Sequence, residues 1–301
     1  MDGSIVSLII THIILPIFFI YYLMFGKFQS KFEWFLHLMC TIFITSWLVI
    51  SGRWDWFSYY IRFFWIVPLI VAIFLSWRKV KRLPNYVKYD KGQIFSIVIS
   101  AILIFAFGFY NVFSIKGFFT KDEAIELSFP LKDGTYYVAH GGNSALINYH
   151  NEYESQQYAI DVVKLNRLGM RANGLYPKQL GKYAIYGETL YSPCSGEVME
   201  MENNHPDLVP PETDQEHAPG NYIALKCKNT STIVYIAHMQ KGSVLVDVGD
   251  SVEADEPIGK VGNSGNTTEP HLHIHAEKDG IGQPIRFENR FLKRNSLVSA
   301  E

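Results

Sequence analysis

Apolar positions follow two patterns along the chain. Up to about residue 114 they form long unbroken runs; beyond about 130 they form short runs cut by turn residues. Residues 4–25 and 92–115 carry no charge, and 34–52 lie uncharged between Glu33 and Arg53. A further run, about 56–77, contains only Arg62. A helix needs about 20 apolar residues to cross the hydrocarbon core of a bilayer. The pattern therefore predicts an all-α transmembrane bundle of four helices in residues 1–115, at about 4–25, 34–52, 56–77 and 93–114. Trp34, Trp54, Trp56 and Trp77 fall at run edges, where indoles favour the headgroup level. Arg62 lies near one end of its run and can snorkel to the interface.

The second half has a different rhythm. Thr135–Ala139, Tyr158–Val163, Gly196–Met201, Asn221–Cys227 and Ile233–Ala237 are β-rich runs. Gly141–Gly142, Ser192–Pro193 and Lys241–Gly242 separate some of them. No persistent helical period occurs, so the spacing predicts an antiparallel β-rich domain over 134–295, reached through a linker at 116–133. Residues 164–183 read as a loop. The acidic, Pro-containing stretch 202–219 reads as a surface insertion.

Charge then orients the chain. Residues 1–114 hold ten Lys/Arg and four Asp/Glu, which leaves seventeen and twenty-five of the totals of 27 and 29 for the rest. The basic segment Arg78, Lys79, Lys81, Arg82, Lys88 and Lys91 is opposed only by Asp90, so it is assigned to the cytoplasm. The loop with Lys27 and Lys31 falls on the same side. The neutral loop with Arg53 and Asp55 falls outside, as do both termini and everything from about 116. An acidic polar half argues against nucleic acid as a partner and leaves the lipid bilayer as the first expected one. Cys194 and Cys227 lie in the exported half, where a disulfide can persist; the sequence leaves open whether they pair.

Candidate chemistry gathers on histidines. Of ten, eight lie in the second half, three of them in Pro270-His271-Leu272-His273-Ile274-His275. On a strand, positions i and i+2 share a face, so His271 and His273 would stand side by side. Asp161 interrupts an apolar strand, and a buried carboxylate is costly unless it is paired or binds a metal. His238 ends another apolar strand, and Asn148-Tyr149-His150 precedes the Asp161 strand. Two imidazoles converging with a carboxylate make a divalent-metal site.

Residues 262–277, GNSGNTTEPHLHIHAE, resemble the C-terminal signature of the lysostaphin-like, LytM-type zinc metallopeptidases. The likeness spans about 134–290 and is strongest over 238–277. It implies a β-sheet or sandwich of that fold, with Zn2+ as cofactor. It makes His273 a zinc ligand and His271 a catalytic residue. His238, followed by Gly242-Ser243-Val244 and Gly249-Asp250-Ser251-Val252, matches the family's other catalytic histidine. Asp161, upstream of Ser192-Pro193, matches its aspartate ligand. One departure stands out: the family's third ligand lies four residues before the aspartate, and here that residue is Gln157. Either the site is degenerate or another histidine fills the place. His150 is the choice, with His140, His205 and His217 as other candidates. His275 is assigned a packing or supporting role. No HExxH helix motif and no G-x-S-x-G elbow occur. The resemblance implies a membrane-anchored zinc endopeptidase acting on peptidoglycan peptides through zinc-activated water, with two assisting histidines. The alternatives are an inactive LytM-like binding or regulatory module and a metal-sensing membrane protein.

Overall fold

The structure is a computed structural model that describes residues 3–228 and 230–300. It divides into two compact units. One contains the chain up to Gly52 together with Tyr60–Ile115; the other joins Arg53–Tyr59 to the chain from Lys116 onward.

The first unit is helical. Gly3–Ile9 runs through a π-helical turn, Ile10–Ile14, into Leu15–Phe25. Lys31–Ser51 starts at Ser30, whose hydroxyl accepts from Glu33 N at 3.1 Å while the Glu33 carboxylate reaches back to Gln29 N. Such reciprocal capping satisfies donors that a helix start leaves open. Ile66–Val80 and Lys91–Lys116 complete the set. Four segments, Ile5–Phe25, Lys31–Ser51, Tyr59–Val80 and Lys91–Lys116, are long and apolar enough to cross a membrane. Polar groups pair between helices: Trp34 Nε1 donates to Ser76 Oγ at 3.0 Å, and Ser46 Oγ to Asn111 Oδ1 at 2.9 Å. Large apolar side chains instead face outward, Phe105 being 78% exposed. That is the inverse of a water-soluble surface and suits hydrocarbon.

The third helix differs from expectation. It was read from about 56, yet Trp54–Trp56 and Tyr59–Phe63 are 3-10 turns and the α-helix begins at Ile66. Trp54, Asp55 and Trp56 are buried within the second unit. An aromatic-rich run reads alike whether lipid or protein covers it, so periodicity could not place this boundary.

The second unit is built on a nine-stranded sheet in which the pairings are antiparallel. Its order is Leu297–Ala300, Gly134–His140, Ile160–Lys164, Leu272–Lys278, Ile233–Met239, Asn221–Cys227, Gly196–Glu202 and Ser251–Val252, with Ile281–Gln283 extending the hairpin from Lys278. Ile160, Val162, Leu272, Ile274, Val234 and Ile236 point to one face and form the main core. Cys194 and Cys227 are joined as a disulfide. Residues 116–133, expected as a linker, contribute more. Ile125–Leu127 pairs in parallel with Ile285–Phe287, and Leu127 and Leu131 are buried in the main core. The insertion at 202–219 is irregular and is pinned along the 262–266 loop: Leu208 N donates to Asn263 O, Asp214 N to Gly265 O and Asn266 N to Ala218 O, at 2.9–3.0 Å.

Candidate metal centre

The sheet register brings the first two groups together. His273 stands directly opposite Asp161 on one side and Ala237 on the other. Opposed residues of an antiparallel pair share a face, so both side chains leave the core face and enter the same groove. Their separation in sequence is 112 residues, yet His273 Nδ1 lies 2.9 Å from Asp161 Oδ1. Behind it, His273 Nε2 lies 3.0 Å from His275 Nδ1, and the His275 ring stacks on Tyr235 at 4.8 Å. With an ion bound, a proton on Nε2 donated to His275 would leave the Nδ1 lone pair for a ligand bond, whereas in the metal-free arrangement Nδ1 donates to Asp161.

His150 arrives from a different kind of element. It sits on the 3-10 turn Tyr149–Glu152, capped by the Asn148 side chain. Asn148 is fully buried, and its amide donates to Gly142 O and Ala159 O at 3.1 and 3.0 Å. That scaffold sets His150 Nε2 3.0 Å from each oxygen of Asp161. The Gln157 side-chain amide donates to Gly282 O. Among the other histidines proposed for the place, His140 faces Arg294 Nη2 at 2.9 Å and Arg53 Nη1 at 3.4 Å. His205 and His217 lie on the insertion, where they group with Asp214.

His271 and His238 complete the wall. The His271 Nδ1–H donates to Glu269 O at 2.9 Å, with the Thr267 hydroxyl at 3.1 Å. Its Nε2 then carries the lone pair; it is buried, has no hydrogen-bond partner among the described residues and lies 3.6 Å from Asp161 Oδ1. His238 should point to the core face, because its neighbour Ala237 shares the face of His273. Its φ of 61° reverses that. A left-handed residue in a strand re-aims its side chain at some conformational cost. The backbone holds it there from both sides, His238 N donating to Pro219 O and Gly262 N to His238 O. The His238 Nδ1–H donates to Ser264 O at 2.9 Å, so here too the Nε2 carries the lone pair. The two rings are 5.0 Å apart.

Burial sets the protonation of these groups. It pushes His273 down to about 4 and His238 well below the ordinary histidine value. Burial would raise Asp161, but His150 and His271 beside it, with hydrogen bonds from His150 and His273, hold it well below the usual carboxylate range. The result is an ionised carboxylate among imidazoles, the donor set of a divalent metal. Within each of the groups His150–Asp161–His273 and His238–His271–His273 the ligand atoms lie within 4.8 Å of one another. The buried, unpartnered Nε2 of His271 gives the independent sign that a cation or polar group belongs here. Clefts of 260 and 270 Å³ flank the cluster, the first lined by His150, His238 and His273, the second by Asp161, His271 and Arg53. Sequence reasoning did not reach Asn148, Thr267, Glu269 or Arg53. Only the Asn-Tyr-His triplet gave any local sign of one of them.

Residues 182–286 match the family model described as Peptidase family M23. His238, His271 and His273 lie inside the matched range; His150 and Asp161 lie before it. An uncharacterized metalloprotease of Buchnera aphidicola subsp. Baizongia pistaciae (strain Bp) is 44% identical over 54 residues, which is 18% of this chain and 14% of that protein. Solved structures that resemble part of this chain include a putative peptidase M23 from Pseudomonas aeruginosa, 20% identical over 34% of this chain and 38% of the other, with a TM-score of 0.26. Lysostaphin from Staphylococcus simulans is 20% identical over 48% and 50%, with a TM-score of 0.28. The chain thus spans well under two thirds of the length of these relatives.

Proposed function

We propose that this protein is a membrane-anchored, zinc-dependent endopeptidase whose β-rich domain lies on the exported side and cleaves peptide cross-links of bacterial cell wall. One observation carries the reading: the Asp161 carboxylate is faced by His150, His273 and the Nε2 of His271, and His271 and His238 form a second close group with His273. His150, Asp161 and His273 would hold the ion. When bound, zinc supplies Lewis acidity toward a peptide carbonyl and lowers the pKa of water. His271 and His238 do the proton work. Each has its Nδ1–H fixed on a backbone carbonyl, so each offers a lone pair at Nε2 that can take a proton from water and return it to the leaving amine. Once protonated, either ring can also donate to the oxyanion that develops on the substrate. Once the ion is bound, His275 would hold the His273 ring in the tautomer a ligand needs.

The membrane half fits a tether. With the basic segment 78–91 in the cytoplasm, residues from 116 onward emerge on the opposite side, next to the wall. The test uses the full chain in detergent, incubated with cell-wall sacculi. Release of peptide fragments with new amino termini, abolished by a chelator and restored by zinc, is the expected result. Zinc binding without release would overturn the endopeptidase reading and favour a binding or sensing module.

A further inference from the structure

The segment Arg53–Tyr59 lies in sequence between two membrane helices, yet it clusters with the chain from Lys116 onward. Its anchoring there is extensive. Tyr59 N donates to Gly169 O at 2.8 Å, Ser58 Oγ to Leu168 O at 2.7 Å, and Arg171 N to Asp55 O at 3.0 Å. Asp55 is fully buried and accepts both arms of Arg53, Nε to Oδ1 at 2.8 Å and Nη2 to Oδ2 at 2.7 Å. Arg171, 1% exposed, stacks its guanidinium 3.5 Å above the Trp56 ring and sits 3.8 Å from Asp55 Oδ2. Both guanidiniums then close on one carboxylate: Arg171 Nε donates to Glu269 Oε2 at 2.6 Å and Arg53 Nη2 to Glu269 Oε1 at 3.3 Å. Asp55 and Glu269 offset Arg53 and Arg171, as buried charges require, while a third guanidinium, Arg294, lies beside them on the other nitrogen of His140. Glu269 is also the residue whose carbonyl receives the His271 Nδ1–H.

We propose that the Arg53–Tyr59 loop is a positioning element of the peptidase site, acting through Asp55, Arg53 and Arg171 on Glu269 and through Glu269 on the His271 ring. This rests on the peptidase reading above. Asp55 is the keystone of the chain of contacts. Without its charge, two buried guanidiniums share one carboxylate, and Glu269 is pulled from the place where its carbonyl fixes the His271 tautomer. A fragment cut at residue 116 lacks the loop and therefore lacks a wall of its own groove.

The experiment compares full-length wild type, Asp55→Asn, Glu269→Gln and the double variant in detergent. Read are zinc per chain, kcat, KM, the pH profile of kcat and the ring-nitrogen shifts of His271 by NMR. The expected result is a roughly 10- to 100-fold fall in kcat for each single variant, the range found when a partner behind an active group is removed. KM and zinc content stay at wild-type values, the acid limb of the pH profile moves, and the His271 nitrogen shifts change. The double variant is no worse than the single ones, because both break one network. If Asp55→Asn does not fold, Arg53→Lys decides, since it keeps the charge and loses the two-armed fork. Folded, zinc-loaded variants with wild-type kcat, pH profile and His271 shifts would overturn the proposal. A wild type that releases nothing overturns the peptidase reading instead; the His271 shifts still report on the loop.

Discussion

Among the described residues, two groups are made of the same residue types, two histidines and an aspartate, and they behave oppositely. In both, a histidine Nδ1 lies 2.9 Å from an aspartate oxygen: His273 to Asp161, and His217 to Asp214. The side chains of the first pair are 4% and 6% exposed, those of the second 51% and 33%. In the open pair, the hydrogen bond that His217 donates to Asp214 shifts His217 upward, toward the protonated form. In the buried pair, desolvation wins and His273 stays neutral. A metal ligand must be a neutral imidazole with a lone pair. Distance alone does not make a metal site; the environment that decides the proton does.

The largest effect that can break this contrast is loss of a buried ligand. Asp161→Asn or His273→Ala should lose bound zinc and lower turnover on the order of 10⁴-fold, as for members of a catalytic unit. Metal analysis of the purified full chain checks it, and a variant that keeps its zinc would remove that residue from the ligand set. Next, His238→Ala and His271→Ala should keep zinc and lose roughly 10²- to 10⁴-fold in kcat, the span of general acid–base assistance. Zinc loss in either variant would reassign it from proton transfer to ligation.

A smaller effect follows from pH in the metal-free protein. The folded state takes up a proton on His273 only near pH 4, whereas an unfolded histidine does so near 6.5. Below about 6.5 the unfolded chain therefore binds more protons, and stability falls as pH drops from about 6.5 toward 4. His217 has the opposite sign: its contribution is present below 6.5 and fades as pH rises through its raised value. Thermal unfolding of metal-free protein across this range, with and without His273→Ala, separates the two. An acid slope unchanged by His273→Ala would refute the neutral-imidazole argument. The smallest effect is expected at the open pair, where His205→Ala with His217→Ala should leave zinc content and kcat at wild-type values; zinc loss there would make the insertion a metal site after all.

How much of this was legible in the sequence depended on the range of the signal. The four apolar runs were readable because charge is absent, apart from Arg62, over spans long enough to cross a bilayer. His271 and His273 were readable because a two-residue period needs no partner strand. Asp161 could be flagged as an odd carboxylate in an apolar strand, but its position opposite His273 is a register across 112 residues. His150 could be named only by noticing that Gln157 fills a histidine's usual place. The left-handed turn that re-aims His238 left no mark, since residues 233–238 read as an apolar strand ending in a histidine. Arg53 and Asp55 were legible as an exported loop, but its union with the β-rich unit was not, and residues 56–59 read as the start of an apolar helix, because Trp54 and Trp56 suit a bilayer interface as well as a protein interior.

A zinc-edge anomalous diffraction map of the full-length protein tests the central claim most directly. The account predicts one strong peak bonded to His150 Nε2, Asp161 and His273 Nδ1 at about 2.0–2.2 Å, and no peak at His205, Asp214 and His217. A peak confined to the insertion, or none between Asp161 and His273, would contradict it.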